Sequence, residues 1–163
     1  MFKLLDRIEK ALDALLVVMM VVMGCSVVLQ VASRYVFNRP TSWSEELARY
    51  LFVWITFLGA AVVIRKRRHV DVTVLTDRLP PGAAKLVYLA GDLAVLFMLG
   101  ALTWAGAGLA TMAHRQLSAA MDLPMSLAYS AMPVGTGLMF VFLAATMFWE
   151  WKEGRRIGGG DRL

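Results

Sequence analysis

The chain has 163 residues, 59% of them hydrophobic, and a mean hydropathy of +0.63, a balance that excludes a soluble fold with a polar surface. A net charge of +5 and a pI near 9.7 would suit a nucleic-acid binder, but the placement of the basic residues, described below, gives another explanation. The single cysteine, Cys25, lies in an apolar run and reads as a small buried hydrophobe, so no internal disulfide can form.

Phe2, Leu5, Ile8 and Leu12 recur at helical spacing among Lys3, Asp6, Arg7, Glu9 and Lys10, which predicts an amphipathic lead-in at the membrane interface. It runs into a first span over about residues 12–34, in which Asp13 is the charged residue before Arg34. This apolar run exceeds a signal-peptide core of about 7 to 15 residues and is read as retained. Arg34 can snorkel to the headgroups, while Gln30 and Arg34 together offer a polar contact for another helix.

Pro40 stops the preceding segment, Ser42 is positioned to cap the next helix, and Glu45 stands where a capping-box carboxylate reaches back. Glu45 and Glu46 fall in the first turn, where the helix dipole favours negative charge, and Arg49 is one turn away from both. From Tyr50 to Ile64 there is no charge, and the run ends in Arg65, Lys66, Arg67 and Arg68. A helix over 43–65 would be roughly 34 Å long at 1.5 Å per residue, enough to cross a hydrocarbon layer of about 30 Å. This second span thus has an acidic, aromatic entry of Trp43, Glu45, Glu46 and Arg49, and a basic exit.

His69 to Leu79 predicts a short interfacial helix with Asp71 as its cap, ended by Pro80. Pro81 suits a helix start, and the third span covers about residues 86–112. It carries one carboxylate, Asp92, placed to pair with Arg68 or Lys85, and many small residues, among them Gly91, Gly100, Ala101, Gly106, Gly108 and Ala110, expected to form a close-packing face. A polar loop from His114 to Ser126 leads to a fourth span over about residues 127–149. There Pro133 removes the amide that would bond the Tyr129 carbonyl, predicting a kink. Residues 1–153 read as one four-span membrane domain and 154–163 as a flexible basic tail.

With four spans, the amino terminus, the loop after span two and the tail share one side, leaving only Arg34, Arg39, Arg49 and Arg115 among the basic residues on the other. The positive-inside rule therefore places both termini in the cytoplasm, and Arg65, Lys66, Arg67 and Arg68 act as topology determinants that could also attract anionic lipid. The basic residues are explained without nucleic acid. A search for chemistry finds no Gly-rich phosphate loop, no metal-ligand spacing and no nucleophile beside a base. His69 and His114 fall in loops, so axial haem ligation within the spans is not supported.

The run Arg39-Pro40-Thr41-Ser42-Trp43-Ser44-Glu45-Glu46-Leu47-Ala48-Arg49-Tyr50, followed by Thr56-Phe57-Leu58-Gly59-Ala60-Ala61 and His69-Val70-Asp71-Val72, closely resembles the small membrane subunit of tripartite ATP-independent periplasmic (TRAP) transporters, the DctQ-like family. Ser118 to Pro124 and Pro133-Val134-Gly135 also resemble it, and the likeness covers about residues 5–150. The resemblance implies an importer of the bacterial or archaeal inner membrane. In it a periplasmic binding protein delivers an organic anion, usually a carboxylate, to a large multi-span subunit driven by sodium. This chain would be the noncatalytic scaffold, with no cofactor of its own. Partner contacts are expected at Trp43, Glu45, Glu46 and Arg49 on the outer side and at His69, Asp71 and Asp92 toward the cytoplasm. The alternative reading is a self-sufficient homodimeric transporter with Asp92 as its coupling residue.

Overall fold

A computed structural model describes residues 2–36, 41–66 and 81–153. The interfacial helix expected over His69 to Leu79, with His69, Asp71, Arg67 and Arg68, and the tail at 154–163, lie outside the described residues. Four long helices emerge: α1 (Phe2–Tyr35), α2 (Ser42–Lys66), α3 (Pro81–Met112) and, after a 3-10 turn at Ala113–Arg115 and the one-turn α4 (Ser126–Tyr129), α5 (Ala131–Glu153). Among the described residues there are four segments long and apolar enough to cross a membrane, the last running from Ser126 to Trp149. The all-α, four-span architecture expected from the apolar runs is the architecture found.

The helices pack in an open row, α1 against α2, α2 against α5, and α5 against α3. The core lies along that row, from Leu5 and Leu12 of α1 through Leu58, Ala61 and Val62 of α2 to Met139, Phe142 and Leu143 of α5 and Leu99 of α3. Burial is uneven. One third of the last span's most apolar window is buried (33%), against 6% for the first span.

Two glycines let α5 approach its neighbours. A Cβ on Gly135 would stand 2.5 Å from the Phe57 Cβ and 3.0 Å from that residue's carbonyl carbon and oxygen, so α2 and α5 touch backbone to backbone there. A Cβ on Gly106 of α3 would meet Pro133 Cδ at 3.0 Å. Between α3 and α5 the Thr103 and Thr136 hydroxyls are 2.9 Å apart, each also bonded to a carbonyl one turn back in its own helix, so both polar groups are satisfied in an apolar setting. Thus Gly106 and Gly100, where an added Cβ would stand 3.8 Å from the Phe140 ring, belong to the expected close-packing face. Gly91 and Gly108 do not, since nothing stands within 4 Å of a Cβ at either.

The lead-in runs into the first span without a break: α1 is one uninterrupted helix of 34 residues, roughly 51 Å at 1.5 Å per residue, and Leu5 and Leu12 of the lead-in are buried in the core. Two local expectations change. The cap of α2 sits one residue earlier than expected, because Thr41 and Ser44 join their hydroxyls at 2.7 Å and Ser44 donates to the Thr41 carbonyl at 2.8 Å. Glu45 is thereby free to pair with Arg49. The kink assigned to Pro133 appears as an interruption at Ser130, between α4 and α5, which leaves Pro133 in the first turn of α5, where a missing amide costs little.

Candidate functional site

The first turns of α2 form a collar whose two faces do different things. On one face Glu46, Tyr50 and Trp54 recur every fourth residue, so they rise as three rungs along the helix. Each rung grips the segment between α3 and α5. One carboxylate oxygen of Glu46 accepts the amides of Ala120 at 2.9 Å and Met121 at 3.1 Å, with the Ser118 hydroxyl bonded to the same carboxylate. The Tyr50 hydroxyl donates to Met125 Sδ at 3.3 Å, and Trp54 Nε1 donates to the Leu127 carbonyl at 3.0 Å.

The gripped segment has a fold of its own. Ser118 and Leu123 bond twice, amide to carbonyl at 2.8 Å and Leu123 amide to the Ser118 hydroxyl at 3.2 Å, while Met125 donates to the Gln116 carbonyl at 2.8 Å. Asp122 closes this tight turn at φ 51°, a left-handed conformation that aspartate tolerates better than most residues. Ser118 is buried, and the two successive amides of Ala120 and Met121 converge on Glu46 as they would on a bound anion. A loop that would otherwise present bare amides is thus closed by a carboxylate from a spanning helix.

Off that face Glu45 and Arg49 pair at 3.1 Å with most of both side chains exposed, and Trp43, one turn before Glu46, is exposed as well. Of the collar residues expected to meet a partner, Trp43, Glu45 and Arg49 are therefore presented outward, whereas Glu46 is turned inward to this chain's own loop.

At the other end of α2 the two described residues of the basic exit, Arg65 and Lys66, are paired. Arg65 bonds Asp6 at 2.8 Å and approaches Glu9 at 3.5 Å, and Lys66 bonds Asp13 at 2.7 Å. Asp13, the unexplained charge at the start of the first span, has its partner in Lys66. Asp92 is buried, at 6% exposure, in the first half of α3. Of its suggested partners, Arg68 lies outside the described residues, and nothing is described of the Lys85 side chain.

A shallow, open cleft lies between the end of α3 and α4, lined by Ala110, Thr111, His114, Ser126, Leu127 and Ser130. His114 Nδ1 stands 3.3 Å from Ser126 Oγ, a pair that no third group orients among the described residues. Among the described residues no three His, Cys, Asp or Glu side chains come together as a metal site would require. The Tyr50 and Trp54 rungs were missed in the sequence because aromatic residues in an apolar span read as core. Their spacing of four from Glu46 was the available signal.

Comparison with known proteins adds a family. Residues 23–153 match the model of the DctQ component of tripartite ATP-independent periplasmic transporters. The sialic acid TRAP transporter small permease protein SiaQ of Vibrio cholerae is 34% identical over 100 residues, 61% of this chain and 56% of that one. The C4-dicarboxylate TRAP transporter small permease protein DctQ of Rhodobacter capsulatus is 36% identical over 104 residues, 62% of this chain and 46% of the relative. The isethionate TRAP transporter permease protein DctMQ of Oleidesulfovibrio alaskensis is 34% identical over 103 residues, 62% of this chain but 16% of that longer one. The matched stretch of this chain spans about half the length of the small permease relatives, and far less of the long one.

Proposed function

Because the chain belongs to the DctQ component family of TRAP transporters, and is thereby a multi-pass protein of the bacterial inner membrane, we propose that it scaffolds a large permease subunit during sodium-driven uptake of an organic anion. A periplasmic binding protein delivers the solute, the sodium and solute sites belong to the large subunit, and this chain performs no catalysis and needs no cofactor. Both termini face the cytoplasm in this reading, so the clamped loop and the collar face the periplasm.

The observation that carries the reading is the open row. A span whose most apolar window is 6% buried within its own chain has most of its surface left for lipid or another protein, which suits a subunit that completes its packing in a complex. The polar side chains support the same reading. Glu46 is spent on the loop, and Arg65 and Lys66 on α1, so each serves this chain's own architecture. The relatives are named for sialic acid, isethionate and C4-dicarboxylate, which favours placing solute choice elsewhere than in the shared small subunit.

The test is uptake of labelled sialic acid, isethionate and a C4-dicarboxylate by cells that carry the binding protein and large subunit with or without this chain. Uptake of an accepted solute is expected to vanish without the chain. It should return with the wild-type chain or with Asp92→Asn, at unchanged solute preference. A preference altered by substitutions in this chain, or an uptake abolished by Asp92→Asn in a well-inserted protein, contradicts the reading.

A further inference from the structure

The opening turns of α1 sort their charges by sign. Asp6, Glu9 and Asp13 follow one another at intervals of three and four on the side turned to α2, where they pair with Arg65 and Lys66. Arg7 and Lys10 are exposed, and no carboxylate among the described residues pairs with either. At 3.6 residues per turn Lys10 stands about 160° and Arg7 about 140° around the helix from the buried Leu12, so the two cations share the back of α1. The line from Lys10 continues at intervals of four, three and four through Ala14, Val17 and Val21, and both valines are at least 60% exposed. From Ala14 to Ser33 there is no charge, a length of roughly 30 Å at 1.5 Å per residue that matches the hydrocarbon layer. Lys10 and Arg7 then stand about 6 Å and about 10 Å outside its edge, where side chains of their length reach a headgroup layer about 5 to 7 Å thick.

The other described cations are placed differently. Arg65 and Lys66, expected with the rest of the basic exit to attract anionic lipid, are taken up by the carboxylates of α1, and the Arg65 side chain is 12% exposed. Arg34 and Arg115 each stand as a single Lys or Arg where α1 and α3 end. The outer side of α3 is exposed at Phe97 and Trp104 but carries no charge from Leu93 to Met112. Among the described residues, the back of α1 is where two unmatched cations at headgroup depth meet an exposed apolar line. We propose that Arg7 and Lys10 bind the headgroup phosphate of an anionic phospholipid, whose acyl chain lies along Ala14, Val17 and Val21. An anionic lipid is selected over a zwitterionic one because the latter brings its own ammonium to offset the phosphate, whereas a net negative headgroup leaves its charge to these side chains. The lipid would hold the outer side of α1 while the carboxylates hold its inner side to α2. In the orientation proposed above it belongs to the cytoplasmic leaflet, but the site requires only that the chain spans the membrane and does not rest on the subunit reading.

The experiment reconstitutes the full chain, with and without its permease subunit, in phosphatidylcholine bilayers. These contain a small, equal mole fraction of phosphatidylglycerol or of phosphatidylcholine carrying a nitroxide on the acyl chain. Quenching is read from a fluorophore on Val17→Cys in a Cys25→Ser background. Phosphatidylglycerol is expected to be enriched at this position about fivefold, the factor that one cation beside an anionic surface supplies, and less so in high salt. Arg7→Gln with Lys10→Gln should bring the ratio to one. Arg7→Lys with Lys10→Arg, which keeps both charges, should retain the enrichment and so separates lost binding from lost folding. A fluorophore on Phe97→Cys, on the uncharged outer side of α3, should be quenched equally by the two lipids. The site is overturned if the two lipids quench the Val17 position equally, if the preference survives the double Gln variant, or if Phe97 shows a preference of the same size. It is also overturned if neither lipid quenches at Val17, because a protein then covers this face, or if the preference appears only with the permease present.

Discussion

The two flanks of α2 are held by different means. Toward α5 the contact is close and directional, with Gly135 laid on the Phe57 backbone, Trp54 bonded to the Leu127 carbonyl, and Glu46 closing the loop that precedes α5. Toward α1 it is an apolar seam through Leu5 and Leu12, framed by ion pairs from Arg65 and Lys66 whose carboxylate partners Asp6 and Asp13 are about half exposed. A contact made by backbones has no slack, because a new atom meets main chain that cannot rotate away. A contact framed by long charged side chains can shift without losing its partners, and its strength is limited by solvent and salt. α2 and α5 therefore form the rigid pair of the molecule, and α1 is the adjustable one.

The largest effect is expected where that distinction is most exposed to failure. Gly135→Ala places a methyl 2.5 Å from the Phe57 Cβ, and overpacking of this kind costs about 1 to 3 kcal/mol or more where the backbone must move. Its Tm in detergent should fall clearly, while Gly91→Ala, with open space around it, should hold or rise slightly. Equal Tm values for the two would mean that α2 and α5 are not in backbone contact.

A smaller, local effect is expected at the collar. Glu46→Ala removes the acceptor of two amides, and hydrogen exchange at residues 118–123 should quicken about tenfold while the spans stay protected. Glu46→Gln, which keeps an acceptor oxygen, should lose less. An unchanged exchange rate would show that the Ser118–Leu123 bonds suffice to hold the loop.

The smallest effect belongs to the α1 flank. Lys66→Asp should cost about 0.2 to 1 kcal/mol, as partly exposed pairs do, and the added Asp13→Lys should restore the loss. The cost should shrink in high salt. Failure of the exchanged pair to recover Tm would remove the ion pair from the account of how α1 is held.

The same contrast governs how much could be read before any coordinates. Long uncharged runs bounded by Pro40, Pro81 and the basic cluster mark the spans because crossing a bilayer depends on length and apolarity alone, both of which are local in sequence. Which glycine touches a neighbour is not local. Gly91, Gly106 and Gly108 look alike in the chain, and the position of α5 alone selects Gly106. Likewise the bonds of Asp13 to Lys66 and of Glu46 to the loop were not legible in the chain, since they run to residues more than fifty positions away. The cap of α2 was displaced by one residue because Thr41 offers the same hydroxyl chemistry as Ser42 and finds a partner in Ser44, and sequence does not rank the two. Trp43, Glu45 and Arg49 are exposed, as side chains around a helix start with few internal partners are.

The most direct test of the scaffold account is the native mass of the complex that the tagged chain brings out of its own membranes in mild detergent. The account predicts one copy of this chain with one copy of a larger, many-span permease, stable through a second purification step. A species made of this chain alone, at twice its 18.0 kDa mass, would contradict it and move attention to Asp92 as a coupling residue.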